Sequence, residues 1–163
     1  MEKTQKQQMH EVLDNSTIKK LKPRKNSRYH QGYIQPADLK KYYSSCKDEP
    51  VIFRSGLELK FIQYCEGNPN ITKWASEPIS IPYYNRLAKT YRHYYPDYII
   101  ENKEGQRTII EVKPDDQTHK PSANDSRWLK ESWIINTDKW TAAQQFAHDN
   151  GMKFIIVTEK FFE

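Results

Sequence analysis

The sequence predicts an α/β fold: one mixed β-sheet flanked by helices. Three observations carry this. An amphipathic helix pattern, SGLELKFIQYCE (55–66), precedes several short β-branched and aromatic segments. A long helical pattern, 126–150, follows them. A final apolar segment, KFIIVT (153–158), reads as a buried strand. The 163 residues suffice for one compact domain and a tail.

Taken in order, residues 1–30 have few apolar positions and no sustained period, so they are expected to form a disordered arm ahead of a domain at 31–163. PADLKKYYSSC (36–46) predicts a short helix with Pro36 near its start and Pro50 closing the unit. In the helix at 55–66, Leu57, Phe61 and Tyr64 share one face, with Ile62 and Cys65 widening it. Residues 68–70 (NPN) end it, and 71–75 and 79–82 are short strand candidates. Two strands, 94–102 and 106–114, are joined by a loop at 103–105, where Gly105 supplies the left-handed conformation that three-residue hairpin loops favour. Residues 115–125 read as a polar loop. In the following helix Trp140, Ala143, Gln144 and Ala147 keep helical spacing, Thr137 is placed to cap the second half, and Gly151 suits the C-terminal stop.

Apolar residues make up 36% of the chain and aromatics 13%, so the core must be economical and rich in rings. No apolar run approaches the roughly 20 residues of a membrane helix, and the opening MEKTQKQQMHEV lacks the apolar stretch of a secretory signal. No membrane partner is expected. Cys46 and Cys65 lack CxxC spacing and a nearby histidine cluster, which argues against a disulfide framework and a structural zinc. A soluble protein of a reducing compartment is expected. The charge of +5 is uneven: residues 1–50 hold 11 Lys/Arg against 6 Asp/Glu, and residues 51–163 hold 15 of each. Lys19, Lys20, Lys22, Arg24, Lys25 and Arg28 lie within an acid-free stretch, 15–37. Such a run attracts polyanions such as double-stranded DNA; a solvated tail has the same composition.

The candidate chemistry lies in the predicted hairpin. With the loop at 103–105, Asn102 faces Gln106, Glu101 faces Arg107, and Asp97 stands opposite Glu111 on one face of the sheet. Directly opposed like charges destabilise a sheet. Lys113, two residues beyond Glu111, points to the same face, together with Ile99 and Ile109; Ile110 and Val112 face the other way with Tyr98 and Ile100. Lys113 alone can partly neutralise the acid pair. A divalent ion with hard oxygen ligands such as Mg²⁺ does so more completely. Glu58 could bring a third carboxylate, yet Ser55-x-x-Glu58 also fits a capping box in which Glu58 reaches back to the backbone of Ser55. The tyrosines at 83, 84, 91, 94, 95 and 98 suit core packing better than base stacking, and His93 beside Arg92 is either a phosphate contact or a surface pair.

Pro96-Asp97, Glu111-Val112-Lys113 fourteen residues after Asp97, and Glu58 on the preceding helix together resemble the PD-(D/E)XK nucleases, and the element order is similar to their restriction-endonuclease-like core. QGYIQPADLKKYY (31–43), IFRSGLELKFIQYCEGNP (52–69), ITKWASEPISIPY (71–83) and YRHYYPDYII (91–100) look like the head completion nucleases of T-even-type tailed phages. A similarity to the endonuclease subunit of heteromeric transposases is also present. The bulky aromatic usual before the helix glutamate is here Leu57.

The resemblance implies a Mg²⁺-dependent DNA endonuclease, with Mn²⁺ able to substitute, that leaves a 5′-phosphate and a 3′-hydroxyl. It implies Asp97 and Glu111 as metal ligands, the Val112 carbonyl as a further ligand, and Glu58 as a ligand directly or through water. Lys113 would orient or help deprotonate the attacking water; a lysine among carboxylates tends to keep its charge, which favours orientation. It further implies action in the host cytoplasm during assembly, or in the virion head, beside head, portal or neck proteins. The alternative is a non-catalytic virion component that holds a DNA end or seals the head on the same fold.

If all six basic residues between Lys19 and Arg28 meet phosphates, they contribute a log–log salt slope of about −5 on duplex DNA. Deleting residues 1–30 should weaken DNA binding and flatten its salt dependence while sparing cleavage at saturating DNA, and Lys113→Ala should do the reverse. Equal affinity of the truncated and full chains at every salt concentration would show that the arm does not capture DNA.

Overall fold

The computed structural model describes residues 31–44 and 48–163, together with the backbone of Lys19–Lys20. Among the described residues nine strands and two α-helices follow one another: β1 (Lys19–Lys20), β2 (Gly32–Ile34), β3 (Val51–Phe53), α1 (Gly56–Gly67), β4 (Ile71–Ser76), β5 (Ile81–Asn85), β6 (Thr90–Tyr94), β7 (Tyr98–Asn102), β8 (Arg107–Val112), α2 (Arg127–Asp149) and β9 (Lys153–Val157). The sheets run β1-β2-β3, β4-β7-β8-β9 and β5-β6. Antiparallel pairs and the parallel β8–β9 pair make this a mixed α/β fold, as expected. The chain forms two compact units, Met1–Ser76 with Ile100–Gly105, and Glu77–Ile99 with Gln106–Glu163. Among the described residues no helix is long and apolar enough to cross a membrane.

In the first unit, α1 starts where Ser55 caps it, its hydroxyl accepting from the Glu58 N–H. Its buried positions are Phe61, Ile62, Cys65 and Glu66, so the buried stripe lies farther round the helix than Leu57, Phe61 and Tyr64. The stripe packs on β3 and β4, with Val51, Phe53 and Trp74 buried. Glu66, only 5% exposed, organises this region. Its Oε2 accepts the Lys40 N–H at 2.8 Å, and its Oε1 accepts the Lys41 N–H at 3.0 Å and the Trp74 indole N–H at 2.8 Å. Lys41 Nζ in turn donates to the carbonyls of Cys65 and Asn68.

Those bonds explain why the helix expected at 36–46 does not form. Only Pro36–Asp38 makes one 3₁₀ turn. The Lys40 and Lys41 amides go to Glu66, the Tyr43 amide goes to the Trp74 carbonyl, and Tyr42 bridges Trp74 in parallel. Long-range partners thus displace local helical ones. Cys46 lies outside the described residues. The basic arm lies outside them too, except that the backbone of Lys19–Lys20 pairs antiparallel with Tyr33 and Gly32.

In the second unit, α2 packs on β5, β8 and β9. Ile81, Tyr83, Tyr94, Ile109, Ala143 and Ala147 form the core, with Ile79, Ile99, Phe146 and Phe154 against it. The β5–β6 hairpin replaces the strand expected at 79–82 and the first residue of the one expected at 94–102. Its turn has no glycine: the Asn85 side chain accepts the Ala88 N–H, and Lys89 takes the left-handed conformation (φ 52°). A turn built this way carries none of the Asn-Gly or Asp-Gly signals that mark hairpins in sequence. Of the six clustered tyrosines, Tyr83, Tyr94 and Tyr98 are buried, while Tyr84 and Tyr91 form an exposed cross-strand pair with ring centroids 5.3 Å apart and Tyr95 is also exposed.

Helix α2 is unbroken, and Thr137 is no cap: its hydroxyl donates back to the carbonyls of Trp133 and Ile134. Ser126 caps the N-terminus, and Gly151 follows the helix in the left-handed conformation (φ 66°). Gly105 adopts the expected positive φ of 78°. β9 lies at the end of its sheet with Ile155 46% exposed, so it is an edge strand and not the buried one expected.

Glu66→Ala leaves two backbone amides and an indole N–H without their shared acceptor. Hydrogen bonds to a charged group contribute about 1.5–3 kcal/mol each, so the variant should lose about 3 kcal/mol or more in urea denaturation. A loss below about 1 kcal/mol would show that the carboxylate is not what fixes residues 39–43.

Candidate active site

The second unit brings Asp97, Glu111 and Lys113 together at the C-terminal end of β8. Asp97 lies in a bend between β6 and β7, not inside the continuous strand expected at 94–102. Pro96, just before it, has no N–H to give a ladder, which suits a break in pairing. The bend is fastened at both ends of Asp97: its carbonyl accepts the Glu77 N–H at 2.9 Å, and its Oδ2 accepts the Val112 N–H at 2.7 Å. Asp97 is therefore held by the backbone of β8 at the residue beside Glu111. In an extended strand a residue's N–H and C=O project to the same side, so the Val112 carbonyl faces the Asp97 side as well.

Glu111 shares a strand face with Ile109, whose side chain is in the core. Two residues on, the face turns from apolar to ionic, and Glu111 is only 6% exposed. Burial raises its pKa above the ordinary carboxylate range, while a hydrogen bond from Tyr94 and the charges of Lys113 and Lys139 oppose the rise. The Tyr94 hydroxyl donates to Glu111 Oε2, and Lys113 Nζ stands 3.7 Å from Glu111 Oε1. Burial and the adjacent Glu111 charge push the Tyr94 hydroxyl well above its usual pKa, so it remains a donor. Lys113 is fixed through its backbone, its N–H donating to the Val157 carbonyl at 2.9 Å. Beyond it, the Asp115 N–H donates to Glu159 and the Asp115 carboxylate meets Lys160 Nζ at 2.7 Å, tying down the chain after β8.

Two members of this group were not singled out as site residues in the sequence. Tyr94 reads there as one of six tyrosines, and its bond to Glu111 depends on the β5–β6 hairpin. Lys139 precedes Ala143 and Ala147 by one and two helical turns, so it shares the stripe of α2 that faces the core. Its Nζ lies 5.6 Å from the Tyr94 ring centroid and 6.0 Å from that of Tyr83. Desolvation lowers its pKa, and Glu111 and Asp97 partly offset that. The helical spacing was the available signal; a lysine on an apolar stripe is the departure that marks it.

Glu58 belongs to the first unit. Its Oε2 accepts the Arg54 N–H at 2.7 Å, one residue before the Ser55 amide expected from the sequence, so it does close the N-terminus of α1. Glu101, on β7, makes an ion pair with Lys73 at 3.2 Å. Of the basic arm residues, Lys22, Arg24, Lys25 and Arg28 lie outside the described residues, and only the backbone of Lys19 and Lys20 is described.

The donor chemistry of Asp97, Glu111 and the Val112 carbonyl suits a hard divalent cation, since Mg²⁺ takes one or two carboxylates and completes its shell with water and phosphate oxygens. Among the described residues no three His, Cys, Asp or Glu side chains are grouped closely enough to hold a metal by themselves.

Comparison with known proteins bears on the same region. Residues 68–159 match the TnsA-like endonuclease N-terminal family, a span that contains Asp97, Glu111, Lys113, Tyr94 and Lys139 and begins after Glu58. The chain is also 34% identical over 139 residues to the head completion nuclease of Enterobacteria phage T4, covering 80% of this chain and 91% of that protein. With more than half of its length matched and with that relative covered almost end to end, this chain belongs to the TnsA-like endonuclease family.

Proposed function

We propose that the protein is a Mg²⁺-dependent endodeoxyribonuclease that hydrolyses phosphodiester bonds of phage DNA during head completion. The observation that carries this reading is the convergence of Asp97, Glu111, Lys113 and Tyr94 at the end of β8, in a chain similar to a head completion nuclease. Asp97, Glu111 and the Val112 carbonyl would hold the metal. When bound, the ion supplies Lewis-acid polarisation of the phosphate and an acidified water.

The chain's own groups do the rest. Tyr94 keeps one oxygen of Glu111 aimed by donating to it, and the Val112 amide does the same for Asp97. Lys113 presents its ammonium beside Glu111, where it can hold the attacking water by a hydrogen bond and place positive charge near the developing negative charge on phosphorus. Attack on phosphorus breaks the P–O3′ bond, and the departing 3′-oxygen takes a proton to become a hydroxyl. The basic residues from Lys19 to Arg28 would supply affinity for the DNA backbone. The setting would be the host cytoplasm during assembly or the virion head, in contact with head, portal or neck proteins.

Purified protein should nick or linearise plasmid DNA with Mg²⁺ or Mn²⁺, do nothing in EDTA, and lose activity with Asp97→Ala by at least about 100-fold, the scale of a lost transition-state contact. Wild-type protein that binds DNA but never cuts it would support the non-catalytic, head-sealing alternative.

A second expectation follows from the burial of Glu111. Its charged form is disfavoured in the folded, metal-free protein, so Glu111→Gln should raise the melting temperature in EDTA. Mg²⁺ should raise the melting temperature of wild type by mass action and leave that of the variant unchanged. An undiminished Mg²⁺ response in Glu111→Gln would remove Glu111 from the metal site.

A further inference from the structure

No step of the proposed hydrolysis uses Lys139. Its side chain continues the buried stripe of Ala143 and Ala147 by one turn and ends where the core of Ile81, Tyr83, Tyr94 and Ile109 gives way to Glu111. Its ammonium lies over the faces of two tyrosine rings, 5.6 and 6.0 Å from their centroids. Among the described residues no carboxylate lies within ion-pair distance of its ammonium and no acceptor takes a hydrogen bond from it. Lys113, by contrast, already stands beside Glu111. An ammonium carries three donors and no acceptor, and holding it partly out of water without a hydrogen-bond acceptor is costly. A leucine or methionine would fill the same place without that cost.

The charge of the cluster points to the missing partner. Asp97 and Glu111 are matched by Lys113 and Lys139, so the group is formally neutral before any cation enters. A divalent cation on the two carboxylates leaves the cluster with two positive charges in excess. Lys139 then faces carboxylates already neutralised, and its donors are open to an incoming anion.

We propose that Lys139 is a phosphate-binding residue of this site, its ammonium donating to a non-bridging oxygen of a DNA phosphodiester held at the carboxylates. This rests on the nuclease reading for the identity of the anion. The adjoining ring faces of Tyr83 and Tyr94 hold the ammonium in place while leaving its donors unused. A lysine suits the role because it meets phosphate as a mobile point charge.

The test is metal-dependent binding, read independently of cleavage. Fluorescence anisotropy of a labelled short blunt duplex in Ca²⁺ is measured for the full-length wild type, Lys139→Gln, Lys139→Met and Lys139→Arg, with plasmid cleavage in Mg²⁺ assayed in parallel. Lys139→Gln and Lys139→Met should bind about tenfold more weakly, the scale of one charge-assisted hydrogen bond, and cleave more slowly by a larger factor. Both should fold and keep the Mg²⁺-induced rise in melting temperature. Lys139→Arg should recover binding to within about threefold of wild type. Unchanged affinity of Lys139→Gln and Lys139→Met in Ca²⁺ would overturn the proposal, as would loss of folding or of the Mg²⁺ response in both, which would make Lys139 structural. If binding depends on Lys139 but wild type never cleaves, the nuclease reading fails and the phosphate contact stands. If wild type cleaves and Lys139→Gln matches it in both assays, the reverse holds.

Discussion

A carboxylate taken out of water must find donors or give up its charge, and the second unit is arranged around one carboxylate in that position. Glu111 sits at the end of a strand whose inward face begins with the fully buried Ile109. The same pleat that puts Ile109 into the core therefore puts Glu111 at the core's edge. What keeps it there is a pair of partners from different elements, the Tyr94 hydroxyl from β6 and Lys113 from the end of β8, with the charge of Lys139 on α2 acting at longer range. The core residues Ile81, Tyr83, Ala143 and Ala147 hold β5 and α2 against β8, and only in that packing can Tyr94 and Lys139 arrive. The hydrophobic core thus sets the electrostatics of the site.

The first unit meets the same constraint differently. Glu66 is as buried as Glu111, yet its oxygens take three N–H donors at 2.8–3.0 Å, two from the backbone and one from an indole. Donors fixed in the backbone cannot be exchanged for a ligand, so that carboxylate is a fastening. The partners of Glu111 are a side-chain hydroxyl and a side-chain ammonium. They can shift when a cation or a phosphate comes in, at modest cost because side chains move more easily than backbone. Burial alone does not distinguish a structural acid from a working one; the mobility of its partners does.

Much of the fold was legible because local physics sufficed. The capped start of α1 at Ser55, the length of α2, the turn at Gly105 and the stop at Gly151 follow from capping groups, helical period and glycine's tolerance of positive φ. The segment at 36–46 failed because Glu66 and Trp74 outbid the helix for its amides. The β5–β6 hairpin failed because its turn relies on the buried Asn85 side chain and a strained Lys89, and neither leaves a recognisable pattern.

The sequence by itself determined the order of helix, strands, helix and strand from α1 to β9, and the family these residues resemble, since helical period, capping groups and motif spacing are local. Tertiary structure alone decided that Asp97 stands in a bend and is held by the Val112 amide, that Tyr94 aims Glu111, and that Lys139 faces them from α2. Those relations join residues up to 45 positions apart, and their physical basis is the burial of one shared core, which no local pattern encodes.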